Sequence, residues 1–392
     1  MQNYFDYFYA ILYVILLFLS YRAGLHNDKR TTWIAIAVTF FFIAFRAPVV
    51  GADTYNYVRY LTGEHYFYNL DPRPLEIFFV YYREFINQIT DSRFVVMLIN
   101  TTITMAPVFY MVKKYSYNAP LSLLMFFYLD CTAIYFVGLR QIIGFSFILW
   151  GLLYCINEME PRESSTKYPS YKALLFLGIS ILIGYFFHTS IIVYGAIIVL
   201  ALFTPLKSKT VASSLICGSA VIGFILGRFD VLGFFNFLYL LDVDSTARLS
   251  GYLLNEELHQ VSAINIVARL SVLGLVSLYF IDTEKMNHVF FKLFVFGITI
   301  YNLLYSVPMI HRFVPIFNLF GTIVFTWILY KRRRGQENKY QWAKIVCILV
   351  VLYYTRSMFI RINEWDPNSE DRMHPYYFIF QDYSNHPSIK KF

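Results

Sequence analysis

Three ionisable side chains stand at the starts of long apolar runs: Arg140 in "GLRQIIG", His188 in "YFFHTSI" and Arg312 in "HRFVPIF". A charge inside an apolar segment costs several kcal/mol unless partners or water accompany it, so each is a candidate for chemistry. A helix start presents unpaired N–H groups and the positive end of its dipole to anions, and a guanidinium forks onto phosphate oxygens. Gln141 adds a hydrogen-bonding side chain beside Arg140. An imidazole titrating near neutrality can take a proton from a hydroxyl or donate a hydrogen bond to a phosphate. The bland alternatives are an arginine that snorkels to headgroups and a histidine satisfied within the core.

A fourth constellation is "FRAPVVGADTYNYVRY", where Arg46, a Gly51 turn, Asp53 and Tyr57 share one short loop. Asp53 can serve as a base toward an acceptor hydroxyl or hold Arg46 in place, the second being favoured. The tyrosines offer flat apolar faces with hydroxyl tips, a surface suited to sugars. Glu76, Arg248 and Arg269 complete the candidate substrate-binding set. Asp130, inside an apolar run, reads as a hydrogen-bonded helix contact. Asp242 and Asp244 have metal-binding spacing but no supporting His or Glu cluster, so no metal and no cofactor are expected. The four cysteines lie in apolar runs without ligand spacing, and no disulfide is expected.

The elements that must position these groups are dictated by composition. Of 392 residues, 58% are hydrophobic and only 15% charged, and mean hydropathy is +0.50. Soluble domains hold roughly 45–50% apolar and 25% charged residues, so a soluble fold is excluded. Apolar runs fall at about 4 to 20, 31 to 45, 93 to 112, 119 to 137, 141 to 156, 173 to 187, 189 to 203, 211 to 227, 263 to 280, 289 to 306, 313 to 330 and 343 to 358. Each approaches the roughly 20 residues that span a bilayer. The expected fold is an all-α polytopic membrane protein of about 12 transmembrane helices in a single integral domain over 1–392. The first run lacks a basic flank before it and carries Asp6, which marks a retained helix and not a cleaved signal.

With the N-terminus outside, the short loops holding Arg22/Lys29/Arg30, Lys113/Lys114, Arg162/Lys167/Lys172, Lys207/Lys209, Lys285/Lys292 and Lys331 to Lys344 all fall in the cytoplasm, as the positive-inside rule requires. Segments 46–92 and 228–262 and the tail 359–392 then face outward. Lysines other than Lys390 and Lys391 sort to the cytoplasmic side, whereas Arg46, Arg140, Arg248, Arg269 and Arg312 sort to the outer part. Arginine there suits a phosphorylated lipid, although long outer loops are also exempt from the topology rule and carry Arg by composition. From Pro74 to Thr90 the set Leu75, Phe78, Phe79, Tyr82, Phe85, Ile86 and Ile89 recurs at helical spacing, which predicts an amphipathic helix at the outer interface. The apolar stretch Phe234 to Leu241 is a candidate lid. Net charge is +8, but no basic stripe interleaved with exposed aromatics accompanies it, so no nucleic-acid partner is expected.

Taken in order, Arg46-Gly51-Asp53-Tyr57, Arg140-Gln141, Phe187-His188-Ser190 and Arg312 resemble the EpsG-like branch of bacterial Wzy-type polysaccharide polymerases. The chain departs from that pattern at Gly144, where Ala is expected, and at Thr189, where Pro is common. The resemblance implies a GT-C-like glycosyltransferase of the inner membrane that joins repeat units of an undecaprenyl-pyrophosphate-linked oligosaccharide at the outer face. The products it implies are O-antigen or exopolysaccharide, made with inversion and without metal. Arg140, Arg312, His188 and Asp53 would then be catalytic, with Arg46, Gln141, Tyr57, Glu76, Arg248 and Arg269 binding substrate. The partners are the lipid bilayer and the lipid-linked sugar, with room for a chain-length regulator protein. A flippase for the same lipid-linked sugars is the rival, but a carrier should line a through-membrane path with polar groups.

Overall fold

Uncharged runs of Leu, Ile and Phe fold as helices because, away from water, each backbone N–H must find a carbonyl within its own segment. The computed structural model describes residues 7–26, 29–51, 53–63, 76–129, 131–159, 168–226, 262–305, 313–330 and 376–382. Its regular elements are all helices: α1 Tyr7–His26, α2 Lys29–Ala44, α3 Thr54–Leu61, α4 Ile77–Ile89, α5 Arg93–Tyr115, α6 Ala119–Tyr128, α7 Cys131–Val137, α8 Leu139–Met159, α9 Tyr171–Phe187, α10 Ile191–Phe203, α11 Lys209–Leu226, α12 Ser262–Phe280, α13 Thr283–Met286, α14 Val289–Leu304 and α15 Val314–Tyr330. Among the described residues α1, α5, α8 and α11 are long and apolar enough to cross a bilayer, and α6, α9, α10, α12, α14 and α15 supply shorter apolar segments. The run expected at 343 to 358 lies outside the described residues.

One predicted span is different in kind. The run 119 to 137 forms two helices, α6 and α7, separated after Leu129, because hydropathy records burial and not backbone continuity. Such a break needs protein around it to satisfy the freed backbone groups, and every residue of α6 is buried. Asn118 caps α6, its Oδ1 accepting from Leu121 N at 3.0 Å, while its Nδ2 donates to the Ser20 carbonyl of α1 at 2.8 Å. Asp130 lies outside the described residues.

The chain divides into two compact units, one comprising 1–203 with 351–392 and the other 204–350. In the first, α8 and α9 make the closest helix pair. A β-carbon at Gly144 would lie 2.7 Å from the Gly184 carbonyl oxygen, and the reverse holds for Gly184 against Gly144. One further contact, Gly151 against Leu177 and Ser180, fixes the antiparallel register. Small residues let backbones approach where lipid supplies no hydrophobic push between helices. That register carries Arg140 and His188 to one level, about one turn beyond the glycine contact.

The second unit packs α11, α12, α14 and α15. Asn302 of α14 is fully buried and donates from Nδ2 to the Ile216 carbonyl and Ser219 Oγ of α11 and to Ser271 Oγ of α12, at 3.2, 3.3 and 3.0 Å. Gly297 accepts the Phe317 ring of α15, and Gly321 the Phe294 ring of α14.

Candidate functional site

The site is built at the end of the first unit where α3, α4 and the start of α8 meet. Gly51 begins it: its φ is +113°, a left-handed conformation open to glycine, and a β-carbon there would collide with the Phe136 carbonyl of α7. The hydroxyl of Thr54 donates to that same carbonyl, pinning the start of α3 to the end of α7. An apolar cluster of Tyr57, Tyr60, Phe79, Tyr82, Ile143 and Phe187 then locks α3, α4, α8 and α9 together. Full burial of a ring such as Phe79 contributes roughly 1.5–3 kcal/mol.

Arg140 leaves α8 against this cluster. Its Nη1 donates to Glu76 Oε2 at 2.5 Å and its Nε to the Tyr57 hydroxyl at 3.3 Å, while its guanidinium lies 5.7 and 5.9 Å from the Tyr57 and Phe79 ring centroids. The ion pair is mostly shielded, with side-chain exposures of 20% for Arg140 and 13% for Glu76. Glu76 is the N-cap residue of α4 yet makes no capping bond, because its carboxylate faces Arg140. Beside them Gln141 Nε2 donates to the Tyr194 hydroxyl of α10 at 2.5 Å.

His188 is the C-cap residue of α9. Its Nδ1 accepts the Ser190 backbone N–H at 3.3 Å and lies 2.8 Å from Ser190 Oγ. A neutral ring that accepts at Nδ1 carries its proton on Nε2, which makes that nitrogen a donor. The local sequence builds this turn, since Ser190 follows two residues after the histidine.

Arg46 is buried to 5% exposure just beyond α2. Nη1 donates to the Ile43 carbonyl at 2.6 Å and the guanidinium sits 4.3 Å over the Phe136 ring, four residues before Arg140. Its Nε is buried without an acceptor, and among the described residues no carboxylate pairs with it. Burial pushes its pKa down to about 10, with the Tyr376 and Tyr9 hydroxyls acting in the opposite direction. The expectation that Asp53 holds Arg46 is therefore replaced: a carbonyl and an aromatic face hold it. Sequence nearness misled there, because the Gly51 turn sends Asp53 to the N-cap of α3, where its side chain makes no capping bond.

Three further sequence-predicted residues belong to other parts of the chain. Arg312 and Arg248 lie outside the described residues, as do Asp242, Asp244 and the Phe234 to Leu241 stretch. Arg269 lies in α12 of the second unit. Among the described residues no three His, Cys, Asp or Glu side chains group to hold a metal.

Sequence reasoning missed Tyr194, Arg83 and the segment 376–382. Arg83 Nε donates to the Tyr60 carbonyl at 3.1 Å and its guanidinium lies 4.6 Å over the Tyr60 ring. Residues 376–382 lie along Phe45 to Ala47: Ala47 N donates to the Tyr377 carbonyl and Ile379 N to the Phe45 carbonyl, both at 2.8 Å, framing an antiparallel bridge between Arg46 and Phe378. Nothing in the local pattern of either segment announces a partner so distant in the chain.

A comparison with known families finds that the model of the EpsG family matches residues 29–378, which takes in the whole cluster. No curated protein and no solved structure matches the chain.

Proposed function

The chain belongs to the EpsG family, an exopolysaccharide/O-antigen polymerase-like family, and from that premise we propose that it is an inner-membrane glycosyltransferase that polymerises undecaprenyl-pyrophosphate-linked repeat units at the outer face. The observation that carries this reading is the convergence of Arg46, Tyr57, Glu76, Arg140 and Gln141, with His188 at the same level, from separate stretches of chain onto one end of one unit.

In the proposed reaction an acceptor hydroxyl oxygen bonds to the anomeric carbon of the donor chain. The bond from that carbon to the lipid diphosphate oxygen breaks with inversion, and the diphosphate leaves with the electron pair. Guanidinium groups fixed in a shielded site stabilise the charge that grows on it, since preorganised donors need no reorganisation as the reaction proceeds. Arg46 and Arg140 supply that charge, Arg312 is assigned the same role, and no metal is assigned a part. His188 presents Nε2–H to a phosphate or sugar oxygen. Asp53, at the N-cap position of α3, is assigned the acceptor proton. Tyr57, Gln141 and Glu76 orient the sugars and the arginine, and Arg248 and Arg269 remain assigned to substrate.

The carrier reading has one observation on its side, the interrupted pair α6 and α7, since discontinuous helices recur in carriers. Purified protein incubated with a defined undecaprenyl-pyrophosphate repeat, with and without chelator, separates the two. A product ladder that survives chelation and is lost in Arg140→Ala supports the polymerase. Translocation without elongation would leave the carrier.

A further inference from the structure

Arg140 and Arg46 differ in charge balance. Glu76 already neutralises Arg140 at 2.5 Å, whereas Arg46 has, among the described residues, a carbonyl and a ring. A guanidinium held at 5% exposure with its Nε lacking an acceptor carries an uncompensated desolvation cost, and an anion brought to it would relieve that cost.

The fold maintains this costly arrangement with residues 376–382. Besides the two backbone bonds at 2.8 Å, the Tyr376 hydroxyl donates to the Phe42 carbonyl in the last turn of α2. Tyr376 is 1% exposed and its ring stacks on Phe42 at 4.2 Å. The Phe378 ring meets Phe8 at 4.9 Å and Tyr376 at 5.1 Å, and a turn closed by Gln381 completes the strap. The backbone on both sides of Arg46 is thereby tied: Phe45 through its carbonyl, Ala47 through its N–H.

We propose that Arg46 is the cation of this site that an incoming diphosphate neutralises, and that Tyr376 and Phe378 are positioning residues that hold it ready. This rests on the polymerase reading only for the identity of the diphosphate ester. The ligand chemistry is a diphosphate at the end of a polyprenyl chain. Arg140, balanced by Glu76, orients its surroundings and contributes less to the affinity.

The test uses the full chain in detergent with farnesyl diphosphate as the binding probe, inorganic pyrophosphate as the headgroup alone and phosphatidylglycerol as an ordinary anionic lipid. Arg46→Gln is expected to raise the farnesyl diphosphate Kd roughly 10- to 100-fold, the range of a lost charge-assisted hydrogen bond, with Arg46→Lys in between. Tyr376→Phe and Phe378→Ala are each expected to raise it about 3- to 10-fold, and to add little once Arg46 is already Gln, because coupled residues are not additive. Tyr376→Phe keeps the ring and so the fold, which covers the event that Phe378→Ala does not fold. Pyrophosphate is expected to compete and phosphatidylglycerol not to. Unchanged affinity in Arg46→Gln, additive losses in the double variants, or competition by phosphatidylglycerol alone would each overturn the proposal. Arg46-dependent binding in a wild-type protein that does not elongate would remove the polymerase reading and leave this one standing; elongation with Arg46-independent binding would do the reverse.

Discussion

The Glu76 carboxylate lies 2.5 Å from Arg140 across 64 residues of chain, and it is this pair that ties α4 to the start of α8. Glu76→Ala leaves a shielded guanidinium without its acceptor and is expected to destabilise the protein by roughly 1–3 kcal/mol. Glu76→Gln, which keeps an acceptor oxygen, should lose less than half as much. Melting midpoints in detergent check the order, and equal losses for the two variants would show that the charge is irrelevant there.

Gly144→Ala places a β-carbon 2.7 Å from the Gly184 carbonyl and 2.9 Å from Ile191, so α8 and α9 must separate. Overpacking of this kind costs about 1–3 kcal/mol. Gly178, on the same α9, has open space on that side, with nothing within 4 Å of where a β-carbon would stand. Gly178→Ala is expected to be neutral or stabilising by up to about 1 kcal/mol. A thermal-shift comparison of the two alanine variants decides the matter.

Asn302→Leu removes three hydrogen bonds that join α11 and α12 to α14. Interhelical bonds in membranes are worth about 0.6 to 1.7 kcal/mol each by double-mutant cycles, so a loss of one to a few kcal/mol is expected. Proteolysis within the second unit should accelerate. An unaltered cleavage rate would count against the role given to Asn302.

Burial, and then the neighbouring Lys285 and Lys292, push His288 down to about 3 from its ordinary 6.5. The folded protein therefore keeps this ring neutral while the unfolded chain protonates it, so the unfolded state binds more protons between those values. Stability is fully present above pH 6.5 and falls as the pH is lowered through that window. Melting midpoints recorded from about pH 7 to about pH 4 should decline, and His288→Gln should flatten the decline.

Hydropathy made most helices legible because a span is a local property: the runs at 93 to 112, 141 to 156 and 173 to 187 reappear as α5, α8 and α9 with ends shifted by a few residues. The amphipathic stretch at 74 to 90 was legible as a helix but not in its facing. Phe79, Tyr82 and Ile86 turn inward, while Phe85 and Ile89 join Ile77 and Tyr81 on an exposed stripe, so the helix is apolar on two sides and periodicity merged them. The interruption of α6 and α7 was missed for a related reason, since Asp130 stands between apolar neighbours and was read as a helix contact within one continuous run. Partners were the least legible part. Arg140 and Gln141 stood out by charge and place, but Glu76 and Tyr194 reach them through tertiary packing, and Gly144 answers to a glycine on another helix.

The bond from Tyr376 to Phe42 spans 334 residues. Ribosomal synthesis delivers amino-terminal segments first, and contacts so remote in sequence form slowly. The first two helices must therefore wait in the bilayer, with Arg46 unfastened, until translation has passed residue 378. A prematurely terminated nascent chain would thus leave the backbone around Arg46 untied, and completion of this part of the fold is timed by a stretch that the ribosome makes late.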